Sequence, residues 1–362
     1  MATSYKNLEN ADVTSARTLL HEAIPITGTI VSGTYYIDSS ATQTNIKRYA
    51  HGMFESTYDY PYLSSSANHI FDLTVGYSAQ SSLSGATHVQ NAKKINIYNQ
   101  MAQVLVGYDQ TGSIRRFDRN GDFSSDDAGG GPASMAGAKI DEAFFLNFAR
   151  LLTKDEIKKN SFRLQLYVAG TNPAISTNMT FGDYGAATSY KTNSPAGEYA
   201  IIYTGSATPN PDGSSARGLL YYQAGVAVLT ASIFAGQFAP RTPGTQQFAS
   251  VSACITGSLI TSSCEAFRNR WNDCDFNNTT ELNSTIYFCR ANHNEFNYSA
   301  NPTYVSASKI RVKNQTFDQP ISYMTTVGLY SADNELMAVA KLSEPLKKTP
   351  DQELTVRVRL DY

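Results

Sequence analysis

Four cysteines, Cys254, Cys264, Cys274 and Cys289, fall within 36 residues, and His293 lies four places beyond the last. Thiolate and imidazole are the donors that zinc prefers, so this grouping is the first to weigh. Structural zinc sites pair their ligands as C-x2-C to form a tight knuckle. Here nine, nine and fourteen residues intervene, and no knuckle results. Reduced, buried thiols are the leading reading, ahead of one or two disulfides and ahead of zinc. Assembly in a cytoplasm favours the reduced form.

A second grouping is acidic. Asp118, Asn120, Asp122, Ser124 and Asp126 place an oxygen at every second position, like the first part of a calcium loop. The sixth position is Phe123 where a calcium loop has Gly, and the twelfth is Gly129 where it has Glu. Asp118, Asn120 and Asp122 are thus the weak metal candidates. Asn120-Gly121 between aromatic and β-branched residues is also a two-residue hairpin signature, and the hairpin is the preferred reading. The Gly-rich run Gly129 to Lys139 lacks the Lys-Ser/Thr that must follow the last Gly of a phosphate loop. The five histidines are scattered, and no Gly-x-Ser-x-Gly or His-Glu-x-x-His motif occurs. The acidic residues are spread too evenly to nominate a glycosidase pair, whose partners need only meet in space. Sequons such as those at Asn178 and Asn283 follow from an Asn/Thr-rich composition. No catalytic residue and no cofactor is expected.

The elements that would position such groups are mostly strands. Arg163–Val168, Tyr199–Tyr203, Gly218–Tyr222 and Val226–Thr230 are β-rich runs separated by Gly, Pro and Asn turns, of which Thr208–Gly213 is the plainest. Further runs are Ile30-Val31, Tyr35–Ile37, Ile70–Val75 and Phe144–Phe148. Helical spacing marks His88 to Val106, where Ala92, Ile95, Tyr98, Met101, Ala102 and Leu105 share a face opposite Lys93, Lys94 and Gln100, and Gly107 is the expected stop. Thr14 to Ile24 also reads as a short helix. Thr153–Glu156 reads as a capping box opening another. Long helical crossovers are mostly missing, so parallel sheets are disfavoured. The fold class is mainly β with a few helices (α+β), in a multi-domain sandwich or barrel architecture. Three domains are expected: 1–115, α+β; 116–240, β-rich with the Gly/Asp-rich loop; and 241–362, β, after a Pro/Gly/Gln-rich linker at Gly236–Gln247.

The last segment is the most regular. Leu354, Val356, Val358, Leu360 and Tyr362 alternate strictly with polar residues, which describes a half-buried strand with one face in a core or interface. Before it, Tyr323–Tyr330 and Leu336–Leu342 flank Ser331-Ala-Asp-Asn-Glu335, a hairpin closed by turn-forming Asp and Asn. The Thr-x-Gly-Leu-Tyr strand, the Asp-Asn turn, the Ala-Val-Ala-Lys-Leu strand and the alternating final strand resemble the C-terminal segment of virion structural proteins from contractile-tailed, marine T4-like bacteriophages. Leu20–Pro25 and His51–Phe54 are similar to virion proteins of marine relatives. The resemblance is strongest at residues 322–362. It implies a virion component assembled in the host cytoplasm and carries over no catalytic residue.

Composition agrees with that class. The chain has 362 residues, 41% hydrophobic and 17% charged, with 23 tyrosines, 17 phenylalanines and one tryptophan. Low charge with many Tyr and Phe suits interface cores. A net charge of −2 leaves no electrostatic footprint for nucleic acid. No apolar run of the roughly 18 residues that a membrane span needs is present, and the first residues carry no secretory pattern. The expected function is a structural subunit of a phage particle, in the tail, baseplate, collar or fibre-attachment region. Its expected partners are other virion proteins and copies of itself, in a homo-oligomer or symmetric ring. A capsid-decorating or glycan-binding virion protein is the alternative, with a polysaccharide depolymerase behind it.

Overall fold

The computed structural model describes residues 5–29, 43–85, 89–121, 123, 139–171, 174–205, 215–236, 238, 248–298, 305–306, 309–310, 317 and 319–362. Strands dominate. In chain order they are β1 (Val13–Pro25), β2 (Ile46–Arg48), β3 (Glu55–Tyr58), β4 (His69–Tyr77), β5 (Glu142–Phe148), β6 (Glu156–Ile157), β7 (Arg163–Thr171), β8 (Ala174–Gly182), β9 (Lys191–Ser194), β10 (Gly197–Thr204), β11 (Ala216–Tyr221) and β12 (Val226–Thr230). Beyond them come β13 (Trp271–Ala291), β14 (Val305–Ser306), β15 (Lys309–Ile310), β16 (Ser322–Tyr330), β17 (Leu336–Lys348) and β18 (Leu354–Asp361). The α-helices are α1 (Asn91–Leu105), α2 (Arg150–Thr153), α3 (Ala186–Ser189), α4 (Val251–Ile255) and α5 (Ile260–Arg268). The fold is mainly β, as the spacing of strands and turns implied.

Contacts divide the chain into two compact units, Leu20–Thr280 and Met1–Leu19 with Glu281–Tyr362. This differs from the three consecutive segments expected. The reason lies in pairings that the sequence does not display: β4 runs antiparallel to β5 from Phe71↔Phe148 to Tyr77↔Glu142, which joins residues before 115 to residues after 116.

In the larger unit the sheet order is β13-β7-β8-β10-β11-β12-β5-β4-β3-β2. Its ends curl toward each other, because rings from strands far apart in that order meet. Phe71 of β4 stacks on Trp271 of β13 at 5.1 Å, and Phe148 of β5 meets Phe162 and Phe276 at 6.0 and 5.2 Å. The architecture is sandwich-like, with an aromatic core. Helix α5 closes it, Phe267 lying 4.8 Å from Phe144 and 6.3 Å from Trp271.

Helix α1 forms where periodicity placed it and ends at Gly107, whose φ of 85° lies in the left-handed region that a helix stop uses. Its inward face is rotated from the expected one. Ile97, Tyr98, Ala102 and Leu105 are buried, Ala92 is exposed, and Lys94 turns inward. The helix lies close on β4: a Cβ at Gly76 would sit 2.7 Å from the Lys94 carbonyl and 2.9 Å from the Tyr98 nitrogen.

Two other expectations fail. Thr14–Ile24 belongs to strand β1, neighbour of β13, and the His21 ring lies 3.2 Å from the Thr279 hydroxyl while the Glu22 N–H donates to Asn278 at 3.1 Å. Only Ile24 in β1 is buried, so Leu19, Leu20 and Ala23 never had a core face to serve, and ladder pairing prevailed over spacing. Thr153 opens no helix. It ends α2, Lys154 turns at φ 56°, and Glu156–Ile157 pair with Thr279 and Asn278. Ile30-Val31, Tyr35–Ile37, Thr208–Gly213, most of the Gly236–Gln247 linker and residues 129–138 of the Gly-rich run lie outside the described residues.

Candidate interaction surface

The smaller unit carries the segment that the sequence singled out. Strand β18 pairs antiparallel with the second part of β13, from Ala291↔Leu354 to Ser284↔Asp361. Its alternation holds: Thr355, Arg357 and Arg359 are exposed, Leu354, Val356 and Leu360 are half-buried, and Val358 is buried. Tyr362 is 77% exposed and lies 3.1 Å from the Thr285 hydroxyl, so it adds ring surface to the outside of the unit. Polar edges lock the register. Ser284 donates to Asp361 at 2.5 Å, and Arg359 holds the same carboxylate at 2.7 Å. Those two donors hold the Asp361 carboxyl below its ordinary range.

The hairpin β16–β17 is present as read, from Ser322↔Lys348 to Tyr330↔Leu336, with Asn334 at φ 63° in its turn. Its base is built in. Lys348 is buried, and its ammonium donates to the carbonyls of His293 and Thr349 and to Asn297 Oδ1 at 3.2, 2.9 and 2.7 Å. Toward the tip nothing is buried. Leu336, Met337 and Val339 are 52, 71 and 53% exposed, and Tyr330 stands 4.7 Å from the Tyr5 ring beside them. These apolar side chains form a surface strip next to alternating charges.

The chemical candidates fall elsewhere and do not converge. Cys254, Cys264 and Cys274 are buried and Cys289 is half-buried, all as free thiols. Burial pushes the Cys254 thiol up to about 12 and those of Cys264 and Cys274 well above the ordinary value. As thiols buried in apolar surroundings they are poor nucleophiles. Asp118 is buried, with Lys139 at 2.7 Å on one oxygen and the Asn120 N–H at 3.1 Å on the other. An ammonium thus stands where a cation would. The Gly121 N–H donates to the Asp118 carbonyl at 3.3 Å, with Gly121 at φ 69°, and Asp118 bridges antiparallel to Lys139. Most of the return strand of the expected Asn120-Gly121 hairpin lies outside the described residues. Asp122 lies outside the described residues.

Three polar arrangements were invisible in the sequence. The first is Asp183, fully buried, with four donors on its carboxylate. Tyr222 Oη and the Asn160 N–H reach Oδ2 at 2.7 and 2.6 Å, and the Phe162 N–H and Arg163 reach Oδ1 at 3.0 and 3.2 Å. Loss of solvent prevails over those donors and pushes Asp183 up to about 6. Asn160 sits at φ 63° in the loop so held, which lines a groove of about 560 Å³ with Lys158, Ser161, Asp275 and Pro25. The second is Arg268–Glu55, a buried pair at 2.7 Å joined by Arg48 at 3.0 Å, which ties α5 to β3 and β2. The third is Ser56, Asp72 and His69. Ser56 Oγ and His69 Nε2 both bond Asp72 Oδ1, at 2.5 and 2.8 Å. The residue types are those of an acyl-transfer triad, but the carboxylate stands between hydroxyl and imidazole, whereas activation of the hydroxyl needs the imidazole between. The partners in these arrangements are up to 213 positions apart, so no motif spacing could have announced them.

The chain matches no family model, no curated protein and no solved structure.

Proposed function

We propose that this protein is a structural subunit of a phage particle, in the tail, baseplate, collar or fibre-attachment region. It works by packing against other virion proteins and against copies of itself. The observation that carries the reading is the β16–β17 hairpin: thirteen residues of β17 bury none of their side chains except Lys348. A two-stranded hairpin alone is marginal in water, and exposed apolar strips of this kind mark interaction sites. The resemblance of residues 322–362 to virion proteins of contractile-tailed phages supports the particle as the setting. The deeply buried thiols and the misordered Ser56–Asp72–His69 set favour packing over turnover.

Two measurements test this. Mass photometry of the purified chain should give a homo-oligomer, a trimer or a ring. Localisation in purified particles should place it at the tail. A monomer absent from virions would overturn the assignment, and cleavage of surface polysaccharide by the purified chain would replace it with a depolymerase.

A further inference from the structure

The β2–β3–β4 end of the sheet carries two aromatic groups joined by a polar floor. Tyr49, His51 and Phe54 form one group, with centroids 4.8 to 5.1 Å apart. Tyr58, Tyr62 and His69 form the other, Tyr58 lying 6.4 Å from Tyr62 and 5.6 Å from His69. Between them lies Ser56, buried, its hydroxyl 3.2 Å from Tyr49 Oη and 2.5 Å from Asp72 Oδ1. The register puts Lys47, Ser56 and Asp72 opposite one another, on one face of three adjacent strands. Lys47 Nζ stands 4.9 Å over the Tyr49 ring and pairs with no acidic group among the described residues. Asp72 Oδ2 receives no hydrogen bond among the described residues, and the Asp72 and His69 side chains remain 27 and 32% exposed.

We infer that this face binds a neutral saccharide, one or two pyranose units stacking on the Tyr49 and Tyr58 groups while vicinal hydroxyls bond Asp72, His69 and Lys47. The chemistry selects that ligand. A purely apolar segment would strand the Asp72 and Lys47 charges, since burying an unpaired charge is costly. A polyanion would meet the Asp72 carboxylate. A pyranose offers a C–H face to a ring and hydroxyls, both donor and acceptor, to a carboxylate and an ammonium at once. Adjacent strands are about 4.8 Å apart, so Lys47 and Asp72 lie roughly 10 Å apart across Ser56, a span of one to two sugar rings. The reading is independent of the packing role proposed above, as the face lies in the larger unit and uses none of the hairpin.

Saturation-transfer NMR on the full chain, with maltotriose, cellotriose and chitotriose each at about 5 mM, tests it in the weak-affinity range of such patches. At least one trisaccharide should show transfer to its ring protons and shift the His69 imidazole signals. Asp72→Asn and Tyr49→Ala should each weaken binding tenfold or more, while Tyr330→Ala leaves it unchanged. Lys47→Gln, a milder change at the same face, guards against misfolding and should weaken binding at an unaltered Tm. Transfer from none of the three sugars would overturn the inference. So would binding that all three face variants leave intact.

Discussion

Asp183 shows what a single buried carboxylate does when every neighbour is a donor. Its four partners saturate both oxygens, so a proton entering the site must displace one of them, and Tyr222 is the one that can turn its hydroxyl to accept. The folded value of about 6 lies above the ordinary 3.8. Between those two pH values the folded chain holds a proton that the unfolded chain has lost, so this group's contribution to stability is present below 3.8 and is lost as pH rises through 6. The full swing is roughly 3 kcal/mol. Urea midpoints at pH 4 and 7 should therefore differ less in Asp183→Asn than in the wild type, the wild type losing more on going to pH 7. Asp183→Asn should also lower stability by about 2 kcal/mol at pH 4, because an amide can accept from only half of these donors. An unchanged pH profile in the variant would show that Asp183 does not titrate in this window. No reading of the sequence could have found this residue: its donors come from Asn160, Phe162 and Arg163 on one stretch of chain and from Tyr222 on another.

At the scale of elements, local pattern was a good guide where packing agreed with it. The alternation in β18 and the turn residues of β16–β17 gave their strands directly, and the period over His88 to Val106 located α1, which runs from Asn91 to Leu105. What periodicity could not give was the rotation of α1, because Lys94 faces inward. Its ammonium is held by the carbonyls of Ile255 and Gly257 at 2.5 and 2.6 Å, and burial lowers its proton affinity. A charge is admitted to a helix's inner face only when another segment supplies acceptors, and that segment lies over 150 residues away. β1 failed for the converse reason, its apolar residues having a ladder partner but no core. Two predictions belong here. Gly76→Ala places a methyl against α1 backbone atoms at 2.7 and 2.9 Å, which must separate helix and strand and should cost about 1–3 kcal/mol by denaturant unfolding. Val358→Asp buries a carboxylate beside β13 and should cost about 3 kcal/mol or more, whereas Thr355→Asp on the exposed face should stay within about 0.5 kcal/mol. Equal costs for the two would show that β18 has no inner face.

For the whole molecule, the contrast between the two units decides how the chain is used. Leu20–Thr280 encloses an aromatic core, whereas in the unit of Met1–Leu19 with Glu281–Tyr362 the strands β16 and β17 leave most of their side chains exposed. An exposed hairpin of this kind is the surface that the proposed packing would use, and the Lys and Glu interleaved along β17 oppose unspecific strand pairing there. If the tip of β16–β17 is the contact that builds the proposed homo-oligomer, charge placed there should dissolve the assembly and spare the fold. Met337→Glu with Val339→Glu should shift the mass distribution to the monomer. The change adds two charges to side chains that are already more than half exposed, so the Tm of the unit that carries them should stay within a degree or two. Loss of the oligomer with loss of Tm would mean that the hairpin supports its own unit. An oligomer that survives the double charge would move the contact to another surface, with the exposed side chains of β18 and Tyr362 next in line.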